Sequence, residues 1–408
     1  MKIKKIPVGW EEKKIDELNI SIIDGDRGKN YPNEKDFYDN EFCLFLTAKN
    51  VTINGFKFYE CQYITKEKDS KLNNGKLQKN DIVLTTRGTI GNFAYYNESI
   101  TYENIRINSG MVIIRNKEKL FTNYLYFFLR SFIIKSQIKK VVFGSAQAQL
   151  TVQIIKTLKI LYPKNLIEQQ KIAEILSTWD EGIEKIEKLI ESKQKLKKGI
   201  MQKIFSVKSE KLRVKSFNIK MQKLKNYIKE ISIKNRGSKI STVLSVTNSN
   251  GFINQEDQFE RKVASKDLSN YKIVKKGQFA YNPSRINVGS IDLLESFEEG
   301  IVSPIYVAFE TKEEELSKYY FKYFLQTNLF KQQMKKYFAG SVRESLTFSG
   351  LSFIKIPLAD INKQKYYVNI LLTIDKEIDL LNKQLSLFNN QKKGLMQVLL
   401  TGNIRVKI

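Results

Sequence analysis

The side chains here that could do chemistry are loop arginines, lysines, asparagines and hydroxyl residues, and what they offer is recognition of a polyanion. Arg and Lys can reach guanine O6 and N7, Asn and Gln can bridge adenine N6 and N7, and hydroxyl or glycine loops approach phosphates. In the N-terminal part of the chain the candidates are Arg27, Lys29 and Asn30, then Lys49 and Asn50. Thr86, Arg87 and Thr89 follow, then Arg106, and last Ser145, Gln147 and Gln149. In the C-terminal part they are Asn235 and Arg236, Thr247 and Asn248, then Asn282, Ser284, Arg285 and Asn287, with Ser341 and Arg343 after them. A single loop arginine is most simply a solvated charge. Arg87 and Arg285 stand above that reading because Arg87-Gly88-Thr89-Ile90-Gly91 is matched by Arg285-Ile286-Asn287-Val288-Gly289. A repeated arginine can also bind phosphate or support a turn.

Catalytic chemistry is poorly provided for. The chain has no histidine, which removes Ser-His-Asp and Cys-His nucleophilic systems, imidazole metal sites and a histidine general base. Asn282-Pro283-Ser284-Arg285 matches the Asn-Pro-Pro-aromatic motif of amino-methyltransferases only in its first two residues, and no glycine-rich cofactor loop precedes it. No GxxxxGK[ST] phosphate loop is present, so no motor is expected. The acidic residues are scattered or spaced along helix faces, not clustered as a metal-dependent nuclease needs. The expectation is a non-enzyme with no metal site and no cofactor of its own. Cys43 and Cys61 cannot build a disulfide framework, no apolar run has signal-peptide or membrane-span length, and a reduced, cytoplasmic chain is expected.

Net charge narrows the partner. The 408 residues carry +26, part of which reflects a general richness in Lys, Asn and Ile. Residues 168–205 hold eight Lys against seven acids, and residues 362–400 hold six against three. About +22 therefore falls outside these two segments, where a nucleic-acid surface would be needed.

Those two segments are the elements that must position the candidates. Ile172, Leu176, Trp179, Ile183, Ile186 and Ile190 alternate steps of four and three, continued by Lys193, Lys197, Ile200 and Ile204. The same rhythm returns 195 positions later at Tyr367, Leu371, Ile374, Ile378, Leu381, Leu385, Phe388, Lys392, Leu395 and Leu399. Such heptad seams predict two long helices packed on helices, each on the order of 55–60 Å long. The lysines in the seam weaken it, and the simplest expectation is that their stems snorkel past Leu189 and Leu196. Lys197-Lys198-Gly199 and Lys392-Lys393-Gly394 agree at this offset, and after the helices the tails agree too, Arg213-Val214-Lys215 with Arg405-Val406-Lys407.

Before each helix comes a globule. Residues 21–120 read as short strands with turn punctuation, including an Asn54-Gly55 hairpin signal, and 121–140 as one amphipathic helix. The segment 157–163 reads as a strand. Residues 221–361 track this pattern loosely: YLYFFLRS at 124–131 answers YFKYFLQT at 320–327, whose aromatics are core by their helical spacing. The predicted fold is α+β: two mixed α/β globules, an internal repeat about a pseudo-twofold axis, at opposite ends of an antiparallel pair of coiled-coil helices. The boundaries fall at 1–165 and 221–361 for the globules and at 166–206 and 362–400 for the helices. A basic connector spans 207–220 and a tail 401–408.

Pro7-Val8-Gly9-Trp10, QQKIAEIL at 169–176, KKGIMQKIF at 197–205 and the duplicated globule-plus-helix plan resemble the specificity subunit of type I restriction–modification enzymes over the whole chain. The stretch 269–291, SNYKIVKKGQFAYNPSRINVGSI, looks like one branch of that family's target-recognition domains. The resemblance implies double-stranded DNA binding to a split site, one half read by each globule, with the helices fixing the unread spacer. It implies a non-catalytic subunit that recruits two methyltransferase subunits and motor–nuclease subunits for host defence. S-adenosylmethionine would sit on the methyltransferase, and ATP and Mg on the motor–nuclease. Leu189, Leu196, Leu380 and Leu387, beside the seams, could contact the methyltransferases or simply broaden the core stripe. Two other readings stay open: a piece of a fused restriction–methyltransferase enzyme, and a coiled-coil architectural protein with non-specific DNA affinity.

Overall fold

Short β-rich runs assemble into sheets in both halves of the chain, and a computed structural model describes them over residues 6–117, 120–142, 149–206, 220–258, 267–338 and 345–408. The chain divides into two compact units, Met1–Glu187 with Gln384–Ile408, and Lys188–Lys383. Each unit therefore takes part of both long helices. Among the described residues no helix is long and apolar enough to cross a membrane.

In the first unit four antiparallel strands lie in the order Ile20–Asp24, Met111–Asn116, Ile82–Thr85 and Phe93–Tyr95. Cys43–Leu46 pairs with Gln62–Ile64 on one side and, in parallel, with Ile105–Ile107 on the other. Trp10–Lys14 pairs with Lys159–Pro163. The apolar face of the four-stranded sheet packs on the helix Thr122–Leu129, whose Tyr124, Phe127 and Phe128 are buried, as their spacing predicts. The expected hairpin at Asn54-Gly55 forms, with Val51–Thr52 against Gly55–Phe56, and Gly55 adopts the positive φ its partner register requires.

The second unit repeats the order with Ile228–Ile231, Val307–Thr311, Phe279–Tyr281 and Ile291–Leu293. Helix Lys318–Leu325 packs on this sheet through Tyr320, Phe321 and Phe324. Local fastenings recur as well. The Tyr124 hydroxyl donates to the Leu161 carbonyl at 2.8 Å, and the Tyr320 hydroxyl to the Pro357 carbonyl at 2.8 Å. Buried Gln169 accepts from the Phe121 amide and donates to the Pro163 carbonyl; buried Gln364 accepts from Ser317 and donates to Ala359.

The segment 121–140 is two helices, Thr122–Leu129 and Phe132–Val142, not one. Arg130 ends the first, and the Ser131 carbonyl accepts the Lys135 amide to start the second. The periodicity misses this break because both pieces are apolar on the same side. The second unit breaks likewise before Asn328–Met334, where the Thr327 hydroxyl accepts the Phe330 amide.

The long helices run Leu166–Ile204 and Ile361–Leu399. Ile172, Leu176, Ile183, Ile186, Ile190, Leu371 and Ile374 are buried, as the seam predicts. In the first unit the Trp179 and Phe388 rings meet edge to face at 5.2 Å, beside Gly182. The seam lysines do not snorkel past Leu189 and Leu196. Lys193 pairs with Glu377 at 2.6 Å, Lys197 with Asp375 at 2.7 Å, and Lys392 with Asp180. Each ammonium meets a carboxylate of the facing helix, and Lys392 is buried there. At the end of the second helix the tail folds back: the Arg405 guanidinium holds both oxygens of the buried Glu168 carboxylate and donates to the Val8 carbonyl.

Candidate nucleic-acid interface

Arg87 and Arg285 occupy the same place in their units. Each lies in the connection between the third and fourth strands of the four-stranded sheet, Ile82–Thr85 to Phe93–Tyr95 and Phe279–Tyr281 to Ile291–Leu293. Gly91 and Gly289 turn the chain at φ of 88° and 93°, a conformation a side chain would strain. The loops are fixed at their bases. The Thr86 hydroxyl donates to the Gly110 carbonyl at 2.9 Å, and the Leu150 amide to the Thr86 carbonyl at 3.1 Å. In the second unit the Asn282 side chain accepts from the Ser284 amide at 3.1 Å, and the Leu346 amide donates to the Pro283 carbonyl at 3.1 Å. Both guanidiniums are exposed, and neither has a side-chain hydrogen bond or ion pair among the described residues. An anchored loop presenting an exposed five-donor fork is what a guanine edge or a phosphate requires.

Several other candidates gather around these loops. Arg27, Thr86 and Gln149 line a cleft of about 270 Å³ together with Asp24, Thr151 and Gln153. Arg27 is exposed but tied to Asp24 at 3.0 Å. Thr247, Asn248 and Asn287 line a cavity of about 800 Å³ in the second unit, together with Asp292, Lys322 and Lys331. Those last three escape the sequence reading; Lys322 sits in the segment 320–327, whose helical spacing marks it as core. Burial pushes the Asp292 carboxyl up from its ordinary value, against the pull of Lys322. Lys29, Thr89, Ser284 and Arg236 are exposed on loops. Asn30 is half-buried and bonded to the Lys71 carbonyl, and Lys49 is paired with Glu60.

Four candidates are structural instead. Arg106 is buried, with its Nε on Asp69 and its other donors on the carbonyls of Asn74, Asp69 and Leu72 at 2.7–3.0 Å. Asn50 is fully buried and closes a turn through the Thr47 amide and the Lys57 and Tyr59 carbonyls. Asn235 is buried and clamps Ile240 from both sides of its amide. Thr86 is buried under its own loop. Folding engages the side chains of all four inside the protein. Ser145, Gln147, Ser341 and Arg343 lie outside the described residues.

Leu189, Leu196, Leu380 and Leu387 are 44%, 49%, 64% and 61% exposed, so they do not widen the core stripe. Among the described residues no group of three or more Cys, Asp or Glu is placed to hold a metal ion.

Residues 7–198 match the family described as type I restriction modification DNA specificity domain. The chain is 28% identical over 326 residues to the type I restriction enzyme MjaVIII specificity subunit of Methanocaldococcus jannaschii, covering 74% of this chain and 75% of that one. It is 25% identical over 423 residues to the putative MjaX specificity subunit of the same organism, covering 99% and 96%. In fold it is similar to the type I restriction–modification S subunit of M. genitalium, with a TM-score of 0.59 at 17% identity over 99% of this chain and 98% of that one. A chain from a study of complex assembly and conformational transition in a type I system gives 0.56 at 14%, over 98% and 100%.

Proposed function

Because the chain belongs to the specificity subunits of type I restriction–modification systems, we propose that each compact unit reads one half of a split DNA site while the two long helices fix the unread spacer. The observation that carries this reading is the pair of exposed arginines, Arg87 and Arg285, on topologically equivalent hairpin loops, neither with a side-chain partner among the described residues. Two readers on one plan, with different loop sequences, suit two different half-sites. The boundaries follow the helices: target-recognition domains at 1–165 and 221–361, spacer helices at 166–206 and 362–400.

The repeat and the helix pairing draw support from matched contacts inside each unit. Asp180 with Lys392 and Asp375 with Lys197 are the same interaction 195 residues apart. Within the second unit partner numbers run in opposite senses along the two helices, Lys193 with Glu377 and Lys197 with Asp375, as an antiparallel pair requires. The architectural alternative gives no account of the family match or of the two like-placed arginines.

The reaction chemistry belongs to partners in this reading. Methyltransferase subunits bring S-adenosylmethionine, motor–nuclease subunits bring ATP and Mg, and all of them work in the cytoplasm, where the DNA is. The exposed leucines are the proposed methyltransferase contact, since an apolar side chain repeated every seven residues on a helix suits a helix-in-groove partner. Replacing Leu189 and Leu196 by Lys should weaken methyltransferase capture by about tenfold or more, the range of a hot-spot contact, and leave the melting temperature unchanged. Capture measured by pull-down or calorimetry that stays at the wild-type level would remove these residues from the interface.

The deciding experiment maps methylated adenines genome-wide in cells carrying this gene with its methyltransferase, and in cells lacking only this gene. A two-part motif that disappears on deletion is the expected result and reads out both half-sites. An unchanged methylome would overturn the assignment.

A further inference from the structure

Asp180 and Asp375 stand at three-way junctions that DNA reading and partner docking leave unused. In the first unit the Asp180 carboxylate pairs with Lys392 of the other long helix and with Arg130 at 3.3 Å, at the end of helix Thr122–Leu129. Lys392 also lies over the Phe127 ring at 5.5 Å, and Arg130 reaches the Ile53 carbonyl at the hairpin tip. In the second unit Asp375 takes Lys197 at 2.7 Å and the Tyr323 hydroxyl at 2.7 Å, and Lys197 lies over the Tyr323 ring at 5.1 Å. Each carboxylate thus joins both long helices to the sheet-packing helix of its own unit.

Stability alone does not explain the buried Lys392 in a seam built mostly from Ile and Leu. A well-packed apolar pair is as stable as a half-buried ion pair or more so, whereas a polar seam residue specifies register. Sliding one helix by a heptad moves its side chains about 10 Å and would leave buried Lys392 without its carboxylate. Burial and the nearby Arg130 already lower the Lys392 pKa from its ordinary value, so an unpaired ammonium there is disfavoured. The neighbouring layer has diverged, Trp179 with Phe388 in one unit and Lys193 with Glu377 in the other, while the junction has the same Asp–Lys pair in both.

We propose that Asp180 with Lys392 and Arg130, and Asp375 with Lys197 and Tyr323, are positioning residues that hold each reading unit in one register on the helices and so set which spacer length the protein accepts. The proposal rests on the split-site reading. One base pair more or less shifts a half-site by about 3.4 Å and turns it by roughly 35°, so a loose junction would admit the wrong spacing.

The test uses the full complex with its methyltransferase and duplexes carrying the two mapped half-sites at the cellular spacer, one base pair shorter and one longer. Asp180→Leu with Lys392→Met should methylate the cellular spacing at a rate close to wild type. It should lose about tenfold in discrimination against the off-by-one spacers, equivalent to about 1.4 kcal/mol. Lys392→Arg, which keeps the charge, should keep the discrimination. An unchanged rate ratio, or a fall shared equally by all three spacers, overturns the proposal. Wild-type protein that methylates no split site would defeat the underlying reading instead. If the double variant does not fold, Lys197→Met with Asp375→Leu in the other unit is read by the same ratio and decides the same question.

Discussion

Arg106→Met should destabilise the first unit by about 3–5 kcal/mol, the range for removing one partner from a buried ion pair. The guanidinium holds the Asp69 carboxylate and three loop carbonyls at once, and methionine fills the volume while removing all four of these hydrogen bonds. Lys76 remains on Asp69 at 2.6 Å and limits the loss. Both tryptophans of the chain, Trp10 and Trp179, lie in the first unit, so tryptophan fluorescence during denaturant unfolding reports that unit alone. The expected result is a lower midpoint by fluorescence, with DNA affinity per folded molecule unchanged. An unchanged midpoint with weaker DNA binding would return Arg106 to the interface.

Acid should act in the same direction. Burial alone would raise the Asp69 carboxyl, but the Lys76 and Arg106 hydrogen bonds outweigh it and hold the group below its ordinary 3.8. A carboxyl lowered on folding contributes stability that is fully present above pH 3.8 and is lost as pH falls through the folded-state value. Arg106→Met should therefore flatten the pH dependence of the first unit's stability below that point.

The second large effect concerns reading. Arg87→Ala should relax recognition of one half-site and leave the other intact, and Arg285→Ala should do the reverse. A guanidinium bidentate to guanine contributes about 1–3 kcal/mol of discrimination, which is roughly 5- to 150-fold in the ratio of correct to altered half-site. Competition binding against duplexes altered in one half-site at a time measures this directly. An equal loss on every sequence, with a shallower salt dependence, would make the arginine a phosphate contact. No change for either variant would sink the assignment of the hairpin loops.

How much of this could be read from the residues alone depends on what each feature rests on. Ile172 through Ile190 and Leu371 with Ile374 were legible because a heptad is a local pattern and burial follows from it. The pairing of Arg87 with Arg285 was legible because the glycines that turn the chain after them, Gly91 and Gly289, mark the same loop twice. Asn50, Arg106 and Asn235 were misassigned because a polar residue on a loop looks alike whether it faces water or closes a turn. The carbonyls that satisfy Arg106 come from residues 69–74, more than 30 positions away, and no local pattern announces them. The seam lysines show the same limit: their spacing put them in the seam, but Asp180, Asp375 and Glu377 as partners needed the packed helices.

The grip of Arg405 on Glu168 has a consequence in genetic terms. A stop codon at position 405 would leave every strand and helix described above in the product, a change usually expected to be silent. Here it deletes the guanidinium that neutralises both oxygens of a carboxylate only 1% exposed, and uncovers the Trp10 ring on which that guanidinium rests. Codon 405 is therefore under the same constraint as the core, and alleles truncated there should behave as loss-of-function alleles.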